Sequence, residues 1–165
     1  MQLAAILTRD NCEEISHAKL LIQPCGWGID PGAEAVHGIS LEHATKAGIN
    51  VMAALSLFHH MASRADSFHA FNYAFDSLIM AVEYHHAGKS NPLLLPDKGW
   101  QCEMEAMTET CKLPPKYRGT KYKWPSLQEA YRHCFKKDFD GAHDALADVR
   151  AMIAVHKWRL DQKVL

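Results

Sequence analysis

What the chain lacks narrows its class first. None of its apolar runs approaches the ~20 residues that span a bilayer, so no membrane partner is expected. Its opening residues, MQLAAILTRDN, have neither a basic leader nor a long apolar stretch, which argues against a secretory signal. Cysteine is sparse: five residues, at positions 12, 25, 102, 111 and 134, with no Cys-x-x-Cys pair. An odd set of reduced thiols in a cytoplasmic protein is the simplest account. Neither charge is in excess, since 18 Lys and Arg stand against 19 Asp and Glu. That balance excludes a uniformly basic nucleic-acid binder, although a neutral total can hide a local basic patch. No repeat, low-complexity tract or linker divides the sequence, so residues 1–165 are expected to form one domain.

What is present fits a folded core. Hydrophobic residues make up 48% of the chain and charged residues 22%, in a length sufficient for one substantial interior. Two short apolar runs, 2–8 and 14–23, flank the polar turn Arg9-Asp10-Asn11 and predict an antiparallel hairpin. The stretch 24–31, with Gly26, Gly28 and Asp30, reads as a loop. Helical spacing follows over 32–37, 40–47 and 51–65, then a buried strand over 67–72 and a helix over 75–86. After a loop at 88–99, a short strand at 101–104 is expected to run into a helix over 106–112. Ser126, with Glu129 at the capping-box position, predicts a helix over 127–135, and the last helix should run from about 144 to 161. A hairpin followed by strands alternating with helices implies an α/β sandwich with a mixed sheet.

Three stretches carry candidate chemistry. GAHDALADVRAMIAVHKW places His143 five residues before Asp148. Residues five apart on a helix lie ~140° apart, so the two converge only if His143 precedes the helix and Asp144 is its N-cap. The plainer alternative is a capped helix with a solvated Asp148. AFNYAFDSLIM puts Asn72 at a strand end and Asp76 in the first turn of the next helix, where α/β folds place ligands. Facing one another, Asp76 and Asp148 would offer hard oxygen ligands for Mg²⁺ or Mn²⁺; apart, they are two ordinary helix-start aspartates. Finally, CKLPPKYRGTKYKWP holds Lys112, Lys116, Arg118, Lys121 and Lys123 with Tyr117, Tyr122 and Trp124 and no acid. Cations for phosphates and rings for bases suit a single-stranded nucleic acid; a solvated loop with core-packed aromatics is the alternative.

Taken in order, these stretches resemble the DnaQ-like 3′–5′ exonucleases, whose fold is ribonuclease H-like. FNYAFD is similar to that family's second motif, and AHDALADV to the His-x4-Asp third motif of its histidine-type (DEDDh) branch. VHGISLEHATKAGI, residues 36–49, is similar to its His-Gly-Ile segment and the helix after it. The resemblance runs from about residue 2 to residue 160. It implies a ribonuclease H-like mixed sheet flanked by helices, hydrolysing terminal phosphodiesters of DNA or RNA by a two-metal mechanism. It further implies that Asp76 and Asp148 are ligands for Mg²⁺ or Mn²⁺ and that His143 is the general base. Asn72 and Phe75 would border the terminal nucleotide on one side, with His37, Gly38 and Ile39 on the other. Lys116, Arg118, Lys121 and Lys123 are expected nucleic-acid contacts on composition alone. The partner implied is a nucleic acid with a 3′ end, single-stranded by preference.

One family element is missing. No Asp-x-Glu, the family's first motif, occurs in the 165 residues. MQLAAIL corresponds to the strand that follows this motif. The absent strand is central in the family sheet, between the MQLAAIL strand and the one over 67–72. Either a longer protein carries it upstream, or it has been lost together with two of four metal-binding carboxylates. Glu103 and Glu105 are the nearest spare acids, but they follow the wrong motif and are not assigned as replacements. With two carboxylates, weak metal binding and slow hydrolysis are expected. A catalytically inactive nucleic-acid-binding module of the same fold is therefore a rival reading. An all-α phosphohydrolase of the HD type, prompted by His143-Asp144 and eleven histidines, is a second one, against which the early hairpin counts.

Overall fold

The polar turn after Thr8 does reverse the chain. In the computed structural model, which describes residues 1–95, 97–115, 119 and 121–163, β1 (Gln2–Thr8) pairs antiparallel with β2 (Glu14–Leu21). Three helices follow, α1 (Pro31–His37), α2 (Leu41–Ala47) and α3 (Val51–Ala62). Each starts on a side chain that accepts from free first-turn N–H groups: Asp30, Ser40 and Asn50 respectively. Then come β3 (Ser67–Ala70), α4 (Tyr73–His86), β4 (Gly99–Cys102), α5 (Glu103–Cys111), α6 (Leu127–Phe135) and α7 (Ala145–Lys163). The Ser126–Glu129 capping box forms as its spacing predicts.

Parallel and antiparallel pairing both occur, but in two separate halves. β3 and β4 pair parallel, with Phe68 beside Trp100 and Ala70 beside Cys102, and this pair does not join the β1–β2 hairpin. Among the described residues each of these four strands pairs with one other, so β1 and β3, like β2 and β4, each have one edge without a strand partner. β1 and β3 are the two strands between which the resemblance places the missing one.

Helices cover both faces. Leu55 of α3 packs with Met80 and Tyr84 of α4 and with Leu3 of β1, and the Tyr84 hydroxyl donates to the Leu55 carbonyl at 3.0 Å. Met107, Ala130 and Val155, from α5, α6 and α7, form the second core together with Phe71. The chain is thus a mixed α/β layer structure with a small sheet between helices, and its strands rule out the all-α alternative.

Several expected boundaries shift. The strand over 67–72 stops at Ala70, because the Phe71 carbonyl accepts from Met104 N–H at 2.9 Å and Asn72 already caps α4. α4 accordingly begins at Tyr73 rather than 75. β4 lies two residues earlier than 101–104, and α5 follows it with no intervening loop. α3 ends at Ala62, short of 65, and Pro92–Leu94 makes one 3₁₀ turn within the expected loop.

Gly48 shows how closely the first half is packed. It ends α2 at φ −73°, where any residue is comfortable, yet a Cβ there would lie 2.3 Å from the Ala44 carbonyl oxygen and 2.6 Å from Gln23 N. The neighbouring parallel bridge, Ile22 to Ile49, holds those two backbones together. Gly48→Ala is expected to cost about 2 kcal/mol or more by overpacking, read as a lower denaturant midpoint with an unchanged slope. A midpoint equal to the parent's would show that the bridge gives way easily.

Candidate functional site

The start of α7 is built by a turn that brings His143 back towards its own helix. Asp144 caps that helix: its carboxylate accepts from Leu146 N–H and Ala147 N–H, both at 3.2 Å, and also pairs with Lys19 of β2. His143 sits just before it with φ +74°, a left-handed conformation unusual for a side chain with a Cβ. This geometry aims the His143 N–H at Asp148, whose Oδ1 accepts it at 3.2 Å. The contact comes from the His143 backbone N–H, with His143 before the helix and Asp144 as its cap, and Asp148 is half-buried rather than solvated. Burial raises the Asp148 carboxyl above its ordinary pKa; the His143 N–H offsets part of that rise.

Asp76 lies in the first turn of α4. It keeps solvent access on one side, but the protein packed about it removes enough water to raise its carboxyl to about 6. Among the described residues, no side chain pairs with it. Asn72 provides the cap position without a side-chain cap bond, so its amide is free to face a ligand, and Phe75 is 58% exposed beside it.

The His-Gly-Ile segment links α1 to α2. Gly38 takes φ +70° to end α1, and the His37 ring accepts the Ile39 N–H at Nδ1, 3.0 Å away. Ile39 is buried and anchors the segment, leaving Gly38 at the surface.

The basic stretch is less free than its composition suggests. Lys121 pairs with Glu109 of α5 at 3.1 Å, and Lys123 pairs with Glu129 of α6. The local sequence holds no acid, but neighbouring helices supply two. Lys116 and Arg118 lie outside the described residues.

Among the described residues, Asp76, His143 and Asp148 are not a trio whose ligand atoms all lie within 4.8 Å of one another. Among the described residues, one His/Cys/Asp/Glu trio has all its ligand atoms within 4.8 Å: His69, Glu103 and His156. Asp148 lies on α7, which packs on β1, and Asp76 on α4, which packs on β3 and β4. As oxygen donors, Asp76 and Asp148 fit Mg²⁺ or Mn²⁺ in kind but fall short in number.

The trio was not legible from sequence. Glu103 begins α5 and is completely buried. Its Oε1 faces His156 Nδ1 at 2.7 Å, Gln101 Nε2 at 2.9 Å, Arg159 at 3.2 Å and His69 Nδ1 at 3.5 Å, while Oε2 accepts from Arg159 Nε at 3.1 Å. A usable signal was its position between Cys102 and Met104, on the apolar side of α5.

No family model matches the chain, and no curated protein matches it either. Solved structures do. The zinc-bound form of E. coli exonuclease I with single-stranded DNA aligns at 24% identity and a TM-score of 0.78, over 98% of this chain and 36% of that one. A second exonuclease I structure gives 22% identity and a TM-score of 0.79, over 95% of this chain and 36% of that one. Exonuclease I of Methylocaldum szegediense, described as moderately thermophilic, gives 22% and 0.78, over 98% and 36%. The likeness is one of fold, and the chain spans about a third of the length of these proteins.

Proposed function

We propose that this chain carries half of a 3′–5′ exonuclease active site, acting on the terminal phosphodiester of a single-stranded DNA or RNA. The observation that supports the reading is the turn before α7, where the His143 backbone N–H donates to the Asp148 carboxylate at one helix start, in a chain with an exonuclease I-like fold. Bound at Asp76 and Asp148, Mg²⁺ or Mn²⁺ would supply the charge that favours attack of water on phosphorus and departure of the 3′-oxygen. His143 takes the proton from that water, a task suited to the side chain that titrates nearest neutrality. Asn72 and Phe75 hold the terminal nucleotide from the α4 side, and His37, Gly38 and Ile39 close on it from the other. Lys116, Arg118, Lys121 and Lys123 lead the strand in. For Lys121, exchanging Glu109 for phosphate costs little, because that ion pair is exposed.

The test is mononucleotide release from a 3′-labelled single strand with Mg²⁺ or Mn²⁺. His143→Ala should lower turnover about a hundredfold while leaving oligonucleotide binding within about twofold, as removal of a general base does. Equal loss of binding and turnover would give His143 a structural role instead. The presence of only two of the four carboxylates that the resemblance calls for favours a second reading, a binding module of the same fold. Binding that survives both EDTA and His143→Ala, with no turnover in any form, would establish that one.

A further inference from the structure

We infer that His69, Glu103 and His156 form a second cation site, of the two-histidine, one-carboxylate kind that takes Zn²⁺. It is separate from the exonuclease reading and does not depend on it. The three residues come from β3, from the start of α5 and from the middle of α7, so the site would clasp three elements that share no sequence neighbourhood.

Hydrogen bonding alone explains this cluster poorly. Arg159 already satisfies the Glu103 carboxylate with two donors, and Gln101 adds a third. Two imidazoles then point Nδ1 at the same Oε1, which faces four nitrogens within 3.5 Å. A carboxylate oxygen has lone pairs for about two of them. His156 Nδ1 lies 2.7 Å from that acceptor and 3.3 Å from the Arg159 nitrogen that donates to the same oxygen, so a protonated Nδ1 adds to the crowding of donors on Oε1 and an unprotonated one faces its lone pairs.

A cation resolves both problems. With Nδ1 of each histidine unprotonated and turned to a shared ion, Oε1 loses two surplus donors and His156 Nδ1 no longer faces its lone pairs. Zinc bonds of about 2.0–2.2 Å at tetrahedral angles set ligand atoms about 3.4 Å apart. The observed separations of 2.7 Å and 3.5 Å from Glu103 Oε1 lie on either side of that value, and all three ligand atoms lie within 4.8 Å of one another.

The outer partners are already placed. Bound through Nδ1, His69 must carry its proton on Nε2, which lies 3.1 Å from the Ser67 hydroxyl oxygen, able to accept it. Arg159 Nε and Oε2 hold Glu103 in orientation from behind. The His69 side chain is 30% exposed, which leaves a route for the ion and room for water as a fourth ligand. The Arg159 charge lowers affinity, so zinc should bind below the strength of an all-thiolate structural site.

The experiment is a Zn²⁺ titration of the full chain against a chromophoric chelator, with Co²⁺ absorption as a check on four-coordinate geometry. One equivalent should bind and raise Tm. His69→Ala and His156→Ala should each weaken binding at least tenfold, in protein whose circular dichroism matches the parent. The double variant Asp76→Asn, Asp148→Asn should bind zinc as the parent does. No stoichiometric binding by the parent, binding indifferent to both histidines, or binding lost with the two aspartates would each overturn the inference. The exonuclease reading stands or falls on mononucleotide release, so the two failures are distinguishable.

Discussion

Adding upstream of Met1 a β-strand that ends in Asp-x-Glu should raise mononucleotide release by about a thousandfold or more. The unpaired edges of β1 and β3 can each donate and accept along such a strand, which would turn two strand pairs into one sheet. A Val- and Ile-rich segment suits the place, because helices cover both faces and neither needs a polar side. Its two acids would complete a donor set that now consists of Asp76 and Asp148. Charge stabilisation by a properly held ion amounts to several kcal/mol, and each 1.36 kcal/mol is a factor of ten in rate. The control is the same strand ending in Asn-x-Gln. It should gain the stability of the closed sheet, seen in Tm, without the turnover. A strand that folds into place and yields no mononucleotides in the Asp-x-Glu form would sink the exonuclease reading.

Local signals carried most of the architecture. α6 occupies 127–135 as expected because its two ends are written in neighbouring residues, the Ser126–Glu129 box and a left-handed Lys136. The place of His143 ahead of α7, with Asp144 as cap, was readable for a similar reason, since Asp144 is a good N-cap for the apolar run that follows. Pairing between strands is non-local, so nothing in the run 2–8 or the run 67–70 announces which edge stays open. Charge counting failed at Lys121 and Lys123 because their acids, Glu109 and Glu129, lie outside the stretch in which the charges were counted. Glu103 was hardest of all. An acid at a helix start normally reads as a solvated dipole partner, and its true partners stand 34, 53 and 56 residues away in sequence.

That burial makes Glu103→Gln the most damaging single change to stability expected here. The substitution keeps the shape and removes the charge, leaving Arg159, 8% exposed, as a buried cation without its carboxylate. Breaking a buried pair from one side costs about 3–5 kcal/mol, which in a chain of this size lowers Tm by roughly 6–20 °C. Acid should erase the difference. Burial pushes the Glu103 carboxyl up, but hydrogen bonds from His156, His69 and Arg159 outweigh it and hold the group far below the usual carboxylate range. A carboxyl depressed in the folded state stabilises fully above its unfolded pKa, about 4.3, and loses that contribution as pH falls towards the folded value. The gap between parent and Glu103→Gln should therefore be constant from pH 5 to pH 8 and narrow steadily below about pH 4. Chelator in every buffer separates this effect from any bound ion. Replacing Arg159 as well, in Glu103→Gln, Arg159→Met, should recover part of the loss, since most of the cost lies in the orphaned charge and little in the pair itself. A single variant within 1 kcal/mol of the parent, or a double variant worse than the sum of its parts, would show that the cluster is not an ion pair holding α5 to α7.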